Sequence, residues 1–306
     1  MANSKTTETT ACVTGIGLLS DFHLMHYVGV SGCEVGVGWA IDGKVQEFSD
    51  FSKGFRLTPN LTLRFSNQAD SKALSFYPTT PKSCMQYCLN KYVLECSFDV
   101  ENNSKTFAET STIIHKIINN TITALRLLKS GYIESNTILN ITAIESNRHP
   151  SLMVQKTIPA GSFRPPYDLR TDELSNFKKL INKISSANLD NRKSFKIALS
   201  RFENSYYNLE DQDKLIDYMI SFEALFTEGK KKQSQRDVIS VACSMLLGKT
   251  QKERTKIQKT LNQAYSIRNN IVHGLDFEEK LSKDLFFNDF VEEVEDLLRR
   301  SLRKLI

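Results

Sequence analysis

The chain has no apolar run near the roughly 20 residues that would span a bilayer. Tryptophan occurs once, and the six cysteines (Cys12, Cys33, Cys84, Cys88, Cys96 and Cys243) form no CxxC pair. Cysteines so sparse do not make a disulfide framework, and they fit a reducing cytoplasm. With 13 Gly and 7 Pro in 306 residues, 40% hydrophobic and 25% charged, collagen-like, low-complexity and disordered readings are excluded. Residues Met1 to Thr10 are polar and the apolar stretch after them is short and broken by glycine, so no signal peptide is expected. No phosphate loop of the G-x-x-x-x-G-K-[ST] type, GxGxxG, HExxH or G-x-S-x-G occurs. Nucleoside-triphosphatase, dinucleotide, zincin and nucleophile-elbow readings therefore lack support.

Charge is present but unevenly placed. The net charge is +5, and residues 1–150 carry 13 basic against 13 acidic side chains. The whole excess lies in the second half. It permits a polyanionic partner without requiring one.

The two halves also differ in period. In the first, Val35, Val37, Trp39 and Ile41 alternate with small or polar residues, as do Leu61 to Phe65, Tyr92 to Phe98 and Leu139 to Ala143. Each reads as a half-buried strand, with a further one over Leu152 to Lys156. Ile114, Ile117, Ile118, Leu125 and Leu128 recur at helical spacing over 111–129, and Gly131 is a stop. An α+β domain is expected over 1–157. Residues 158–170 contain Pro159, Gly161, Pro165 and Pro166 and read as a linker.

From 171 to 306 the pattern is helical, with helices expected over 171–187, 192–207, 211–227, 234–247, 251–273 and 284–305. On the fourth, Val238, Val241, Ala242, Met245 and Leu246 form the apolar stripe, and Gly248 reads as its C′ stop. Apolar stripes with glycine stops describe an all-α antiparallel bundle.

Metal-ligand patterns are weak. His23, His26 and Cys33 lie near one another, but only Cys84-x₃-Cys88 has paired zinc spacing and no second pair accompanies it. Ordinary buried thiols are the expectation, with no metal and no cofactor.

One constellation carries chemistry. Arg268-Asn269-Asn270-Ile271-Val272-His273-Gly274 occupies the last turns of the 251–273 helix. Asn269 and His273 are four apart and share a face that Arg268 flanks. By spacing alone, the bland alternative is a surface arginine and a histidine complementing the helix dipole. Two basic groups accompany the motif, and phosphate contacts or solvated surface are equally good readings of both. Lys230, Lys231, Lys232 and Arg236 form a turn, and Lys252, Arg254, Lys256 and Lys259 line the start of the motif helix. Glu223, on a helix otherwise committed to the core, reads as a helix-edge carboxylate, the alternative being a partner for Arg268.

The order of segments points further. Met219 to Thr227 contains Phe222-Glu223-Ala224-Leu225. The basic turn comes next, then Val238 to Gly248, then a helix ending Arg268-Asn-Asn-Ile-Val-His-Gly274. Over about residues 190–306 this resembles the HEPN superfamily and, more narrowly, its ApeA-like HEPN branch. Ile122 to Gly131 also resembles a helix found upstream in that branch. The resemblance implies a HEPN-type bundle acting as a metal-independent endoribonuclease in antiphage defence or as a toxin. It implies Arg268, Asn269 and His273 as catalytic residues, RNA as substrate, and a homodimer with a composite site. A non-catalytic HEPN module that binds RNA or scaffolds a complex is the alternative, with a plain helical dimerisation domain behind it. By family analogy the first half is a regulator, the place where a phage-derived trigger would act. No membrane partner is expected. The motif helix and the last helix are the expected dimer faces.

Overall fold

The computed structural model describes residues 10–18, 22–25, 55–65, 92–101, 104–133, 137–144, 147–154, 164, 167–187, 189–228, 234–281 and 286–306. Two compact units share the chain: Met1–Ile122, Gly131–Lys156 and Pro165–Ile181 form the first, and Thr123–Ser130, Thr157–Arg164 and Asn182–Ile306 the second. Among the described residues no helix is long and apolar enough to cross a membrane.

Among the described residues, the first unit is built on a six-stranded antiparallel sheet. Its strands are β1 (Thr10–Leu18), β3 (Phe55–Thr58), β4 (Leu61–Phe65), β5 (Tyr92–Glu101), β6 (Thr137–Ile144) and β7 (Asn147–Val154), in the order β3-β4-β5-β1-β6-β7. The expected strand at Leu61 to Phe65 is present. Those at Tyr92 and Leu139 are present and longer, and the last begins at Asn147 rather than Leu152. Pro150 lies on β7, the outermost of the described strands on that side, the kind of position where proline is tolerated in a sheet. The Val35 to Ile41 expectation lies outside the described residues.

Strand β1 was not legible, although it sits inside the sheet and pairs with both β5 and β6. Gly15 and Gly17 interrupt its alternation. The segment expected as a linker also ends in a strand: β8 (Tyr167–Arg170) pairs in parallel with β2 (Phe22–Met25). Tyr167 and Leu169 are fully buried there. Gly131, at φ +147°, is required by close approach, since a Cβ would come within 2.9 Å of the Tyr167 ring.

Helices α1 (Ser104–Leu128) and α2 (Leu174–Ser186) are followed by α3 (Lys193–Asn204), α4 (Asp211–Phe226), α5 (Gln235–Leu247), α6 (Gln251–Val272) and α7 (Phe287–Leu305). Helix α1 begins at Ser104, earlier than expected, because its polar first turns carry no apolar periodicity. The second unit packs α3 to α7 around α4. Side-chain bonds fix their directions. Ser221 Oγ donates to the Ala198 carbonyl (2.7 Å) and Arg201 pairs with Asp217 (3.2 Å), so α3 and α4 are antiparallel. Gln258 to Ser244 (2.9 Å) and Tyr265 to Gln235 (3.3 Å) make α5 and α6 antiparallel. Cys243 to Ser301 (3.5 Å) and Lys304 to the Leu246 carbonyl (2.8 Å) make α5 and α7 parallel, a departure from the expected all-antiparallel arrangement.

Helix α5 also packs by a different face than expected. Val238, Ile239, Ser240, Cys243, Ser244 and Leu247 are buried, while Val241 and Met245 are 50% and 58% exposed. Two serines can turn inward because the helix satisfies them: Ser240 Oγ donates to the Asp237 carbonyl and Ser244 Oγ to the Val241 carbonyl. Burial pushes the neighbouring Cys243 thiol up to about 11, and in the first unit that of Cys96 to about 12. Gly248 is the C-cap at φ −79° rather than a left-handed C′ stop. It is needed for space, since a Cβ would meet Arg254 Cγ at 2.6 Å.

A buried ionic cluster holds the helical unit. On α7, Arg299 pairs with Glu295, which also accepts from Arg164 (2.8 Å) and from the Tyr218 hydroxyl of α4 (2.6 Å). Arg126, at the end of α1, pairs with Glu203 of α3. Arg126 and Arg164 both lie against the Tyr206 ring, at 4.2 and 4.0 Å from its centroid. The apolar face of α7, expected as a dimer surface, is spent inside the unit: Phe290, Val291, Val294, Leu297, Leu298 and Leu302 are all buried.

Candidate functional site

Helix α6 starts with a capping box, in which Thr250 Oγ1 accepts from the Glu253 N–H and the Glu253 carboxylate accepts from the Thr250 N–H. It ends in a full Schellman motif. Gly274 adopts φ +67°, its N–H donates to the Ile271 carbonyl (3.1 Å), and the Leu275 N–H donates to the Asn270 carbonyl (2.8 Å). His273 is the C-cap residue, one position before the glycine that stops the helix. The sequence thus sets the imidazole on the rim of a helix end whose geometry a single glycine fixes.

The segment after Gly274 is laced back onto one stripe of α6. Lys280 Nζ donates to the Ser266 hydroxyl (2.9 Å) and Asn270 Oδ1 (2.6 Å), and Gln263 donates to the Lys280 carbonyl (2.7 Å). Asn270 also donates to the Asp276 carbonyl. Of the two adjacent asparagines, Asn270 is therefore committed to the turn.

Arg268 and Asn269 are brought together. Arg268 Nη1 donates to Asn269 Oδ1 (3.1 Å), which draws the guanidinium round toward the Asn269 side of the helix. That swing matters because residues five apart project about 140° from each other on a helix, whereas Asn269 and His273 differ by about 40°. A second clamp comes from α4: Glu223 Oε1 lies 3.3 Å from Arg268 Nη2, both side chains being 21% exposed. Glu223 is thus the arginine's partner rather than a free helix-edge carboxylate. The Tyr265 ring lies beneath, 5.8 Å from the guanidinium carbon. Arg268 Nε and Glu223 Oε1 are both buried and neither has a hydrogen-bond partner among the described residues, so the two side chains are held to each other by charge rather than by a hydrogen bond. His273 is exposed, and among the described residues its imidazole makes no hydrogen bond or ion pair. The arrangement offers a cationic fork held from two sides and, along the same helix end, an exposed imidazole.

The accompanying cations divide. Gln235, bonded to Tyr265, puts the start of α5 beside the motif, and exposed Arg236 comes next, 3.5 Å from Asp237. Lys230, Lys231 and Lys232 lie outside the described residues. The cations at the start of α6 are at the other end of the helix: at 1.5 Å per residue, Lys252 is about 24 Å and Lys259 about 14 Å from Arg268 along the axis. Two of them have local duties. Arg254 Nε donates to the Gly248 carbonyl (3.2 Å), and Lys256 pairs with Glu293 of α7 (3.0 Å).

No group of three or more His, Cys, Asp or Glu side chains that could hold a metal ion occurs among the described residues. Of the ligand candidates in the sequence, Cys96 is a buried free thiol, and His26, Cys33, Cys84 and Cys88 lie outside the described residues. Compared with family models, curated proteins and solved structures, the chain matches none.

Proposed function

We propose that the chain is an endoribonuclease of the HEPN type, cutting RNA by attack of its own 2′-OH at the Arg268/Asn269/His273 site. The observation that carries this reading is a clamped Arg268 fork and, on the last turns of the same helix, an exposed His273 with no partner among the described residues. The motif order that resembles the ApeA-like branch supports it independently. RNA brings its own nucleophile, so the protein has only to move protons and stabilise charge. The 2′-oxygen bonds to phosphorus, the bond to the 5′-oxygen breaks, the 2′ proton passes to a base and the departing oxygen receives one. His273 performs one of these transfers. Arg268 holds the non-bridging oxygens as negative charge builds on them, and Asn269 fixes the guanidinium. Antiphage defence or toxin action, with the sheet unit as regulator, is the biological setting that the same resemblance suggests.

This chemistry does not call on a metal. Cleavage is expected to run at an undiminished rate in excess chelator and to leave a 2′,3′-cyclic phosphate, or its hydrolysis product, on the 5′ fragment. End-group analysis of the fragments checks the second point. Activity lost in chelator and restored by Mg²⁺ or Mn²⁺ would replace this mechanism with another.

One imidazole per chain covers one of two proton transfers, so the proposed active unit is a homodimer that brings two motifs into one cleft. Val272 and Leu275, 53% and 58% exposed beside His273, supply apolar surface at the motif itself. Specific activity should fall on dilution in step with the dimer fraction measured by ultracentrifugation. A clean monomer cutting at the full per-chain rate would contradict it.

A further inference from the structure

The ion pair between Glu223 and Arg268 joins two helices at the candidate site, and the motif itself does not account for it. Glu223 belongs to α4, whose neighbouring side chains Ser221 and Phe222 are buried in the core, and Phe222 stacks with Phe226 (6.3 Å between centroids). The Thr227 hydroxyl donates to the Glu223 carbonyl (2.7 Å) and so ties down the last turn of α4. The carboxylate therefore stands on a fixed backbone. From there it reaches one terminal nitrogen of Arg268 at 3.3 Å, while the other donates to Asn269 at 3.1 Å. A guanidinium is planar, and two contacts on its two terminal nitrogens define both its position and its plane. One of those contacts is local to α6. The other comes from a different helix and ties the side chain to a backbone other than its own.

The same carboxylate has a cost. A negative charge in contact with the fork partly offsets the field that would attract a phosphate. A group retained for ground-state affinity would not be acidic. One that aligns a cation for a developing charge gains from being so, because alignment is worth most when it is set before the reaction.

We infer that Glu223 is a positioning residue, which orients Arg268 toward the scissile phosphate and accepts weaker RNA binding in exchange for faster cleavage. The inference rests on the ribonuclease reading above. It separates two effects of one side chain, alignment and charge, and a pair of variants resolves them. Glu223→Gln keeps an oxygen at the place facing Arg268 Nη2 but carries no charge. Glu223→Ala removes both.

The test measures single-turnover cleavage of an RNA oligonucleotide by the full chain, together with binding of the same oligonucleotide carrying a 2′-deoxy sugar at the cut site. Thermal unfolding shows that each variant is folded. With Glu223→Ala, the cleavage rate at saturating RNA should fall tenfold or more, while binding of the 2′-deoxy oligonucleotide holds or tightens. With Glu223→Gln, binding should change in the same direction and the rate should stay within a few-fold of the parent. A structural role alone would move rate and binding down together and would track the loss of melting temperature. Parental cleavage by a folded Glu223→Ala chain overturns the inference and leaves the ribonuclease reading standing. A parent chain that cuts no RNA removes the reading, and the inference goes with it.

Discussion

Replacing His273 with alanine is expected to lower RNA cleavage by about 10²–10⁴-fold, the range that a positioned proton-transfer group contributes. The fold should not register the change. The side chain is exposed and has no partner among the described residues, and the cap it occupies is closed by backbone bonds from Gly274 and Leu275. Such surface substitutions ordinarily shift stability by no more than about 0.5 kcal/mol. Arg268→Ala should also abolish cleavage, but it is a less clean test. It would leave the Glu223 carboxylate, four-fifths buried, without its cation, at a cost of about 1–3 kcal/mol. Thermal unfolding of the two variants separates them: His273→Ala melts with the parent, and Arg268→Ala melts below it.

The largest loss of stability is expected at Glu295, far from the motif in its effect. Its carboxylate accepts from Arg164, Arg299 and Tyr218, all of them buried. Removing it by Glu295→Ala strands two guanidiniums in the core and should cost about 3–5 kcal/mol, read as a lowered denaturant midpoint. The same group predicts an acid limb. Burial alone would push the carboxyl up, but Arg164 and Arg299 outweigh it, with Tyr218 adding a hydrogen bond, and hold it at about 2 against an ordinary 4.5. A carboxylate depressed on folding contributes stability that is fully present above its unfolded value. That stability is lost as pH falls through the folded one, here from about 4.5 down toward about 2. The loss amounts to about 3 kcal/mol, and a Glu295→Gln chain should lack this part of the acid dependence. A Gln variant with the parent's stability profile over that range would show that the cluster does not behave as an ion pair.

Sequence reveals structure here wherever the signal is local. Six helices were legible over 171–306 because apolar residues recur along them at helical spacing, and α6 also ends at a glycine stop, Gly274. Strands with one dry face, such as Leu61 to Phe65, showed their alternation. The sheet-interior strand β1 did not, since glycines erased its period, and β8 was hidden among prolines. The face of α5 was misread because Ser240 and Ser244 look polar in sequence, yet their hydroxyls are satisfied by the helix itself. The site obeyed the same rule. Arg268, Asn269 and His273 lie within one helix end and could be picked out together. The contact from Glu223 is made across 45 positions of chain, and no spacing within a helix encodes it.

If the rim of α6 cuts RNA, the ends of cellular RNA carry the record of it. The parent chain and His273→Ala would each be expressed in a host, and RNA termini mapped after induction by ligation that distinguishes 2′,3′-cyclic phosphate ends. The parent should produce new cyclic-phosphate ends at defined positions, and the folded variant none. Identical ends from both chains, or none from either, would contradict cleavage at that rim.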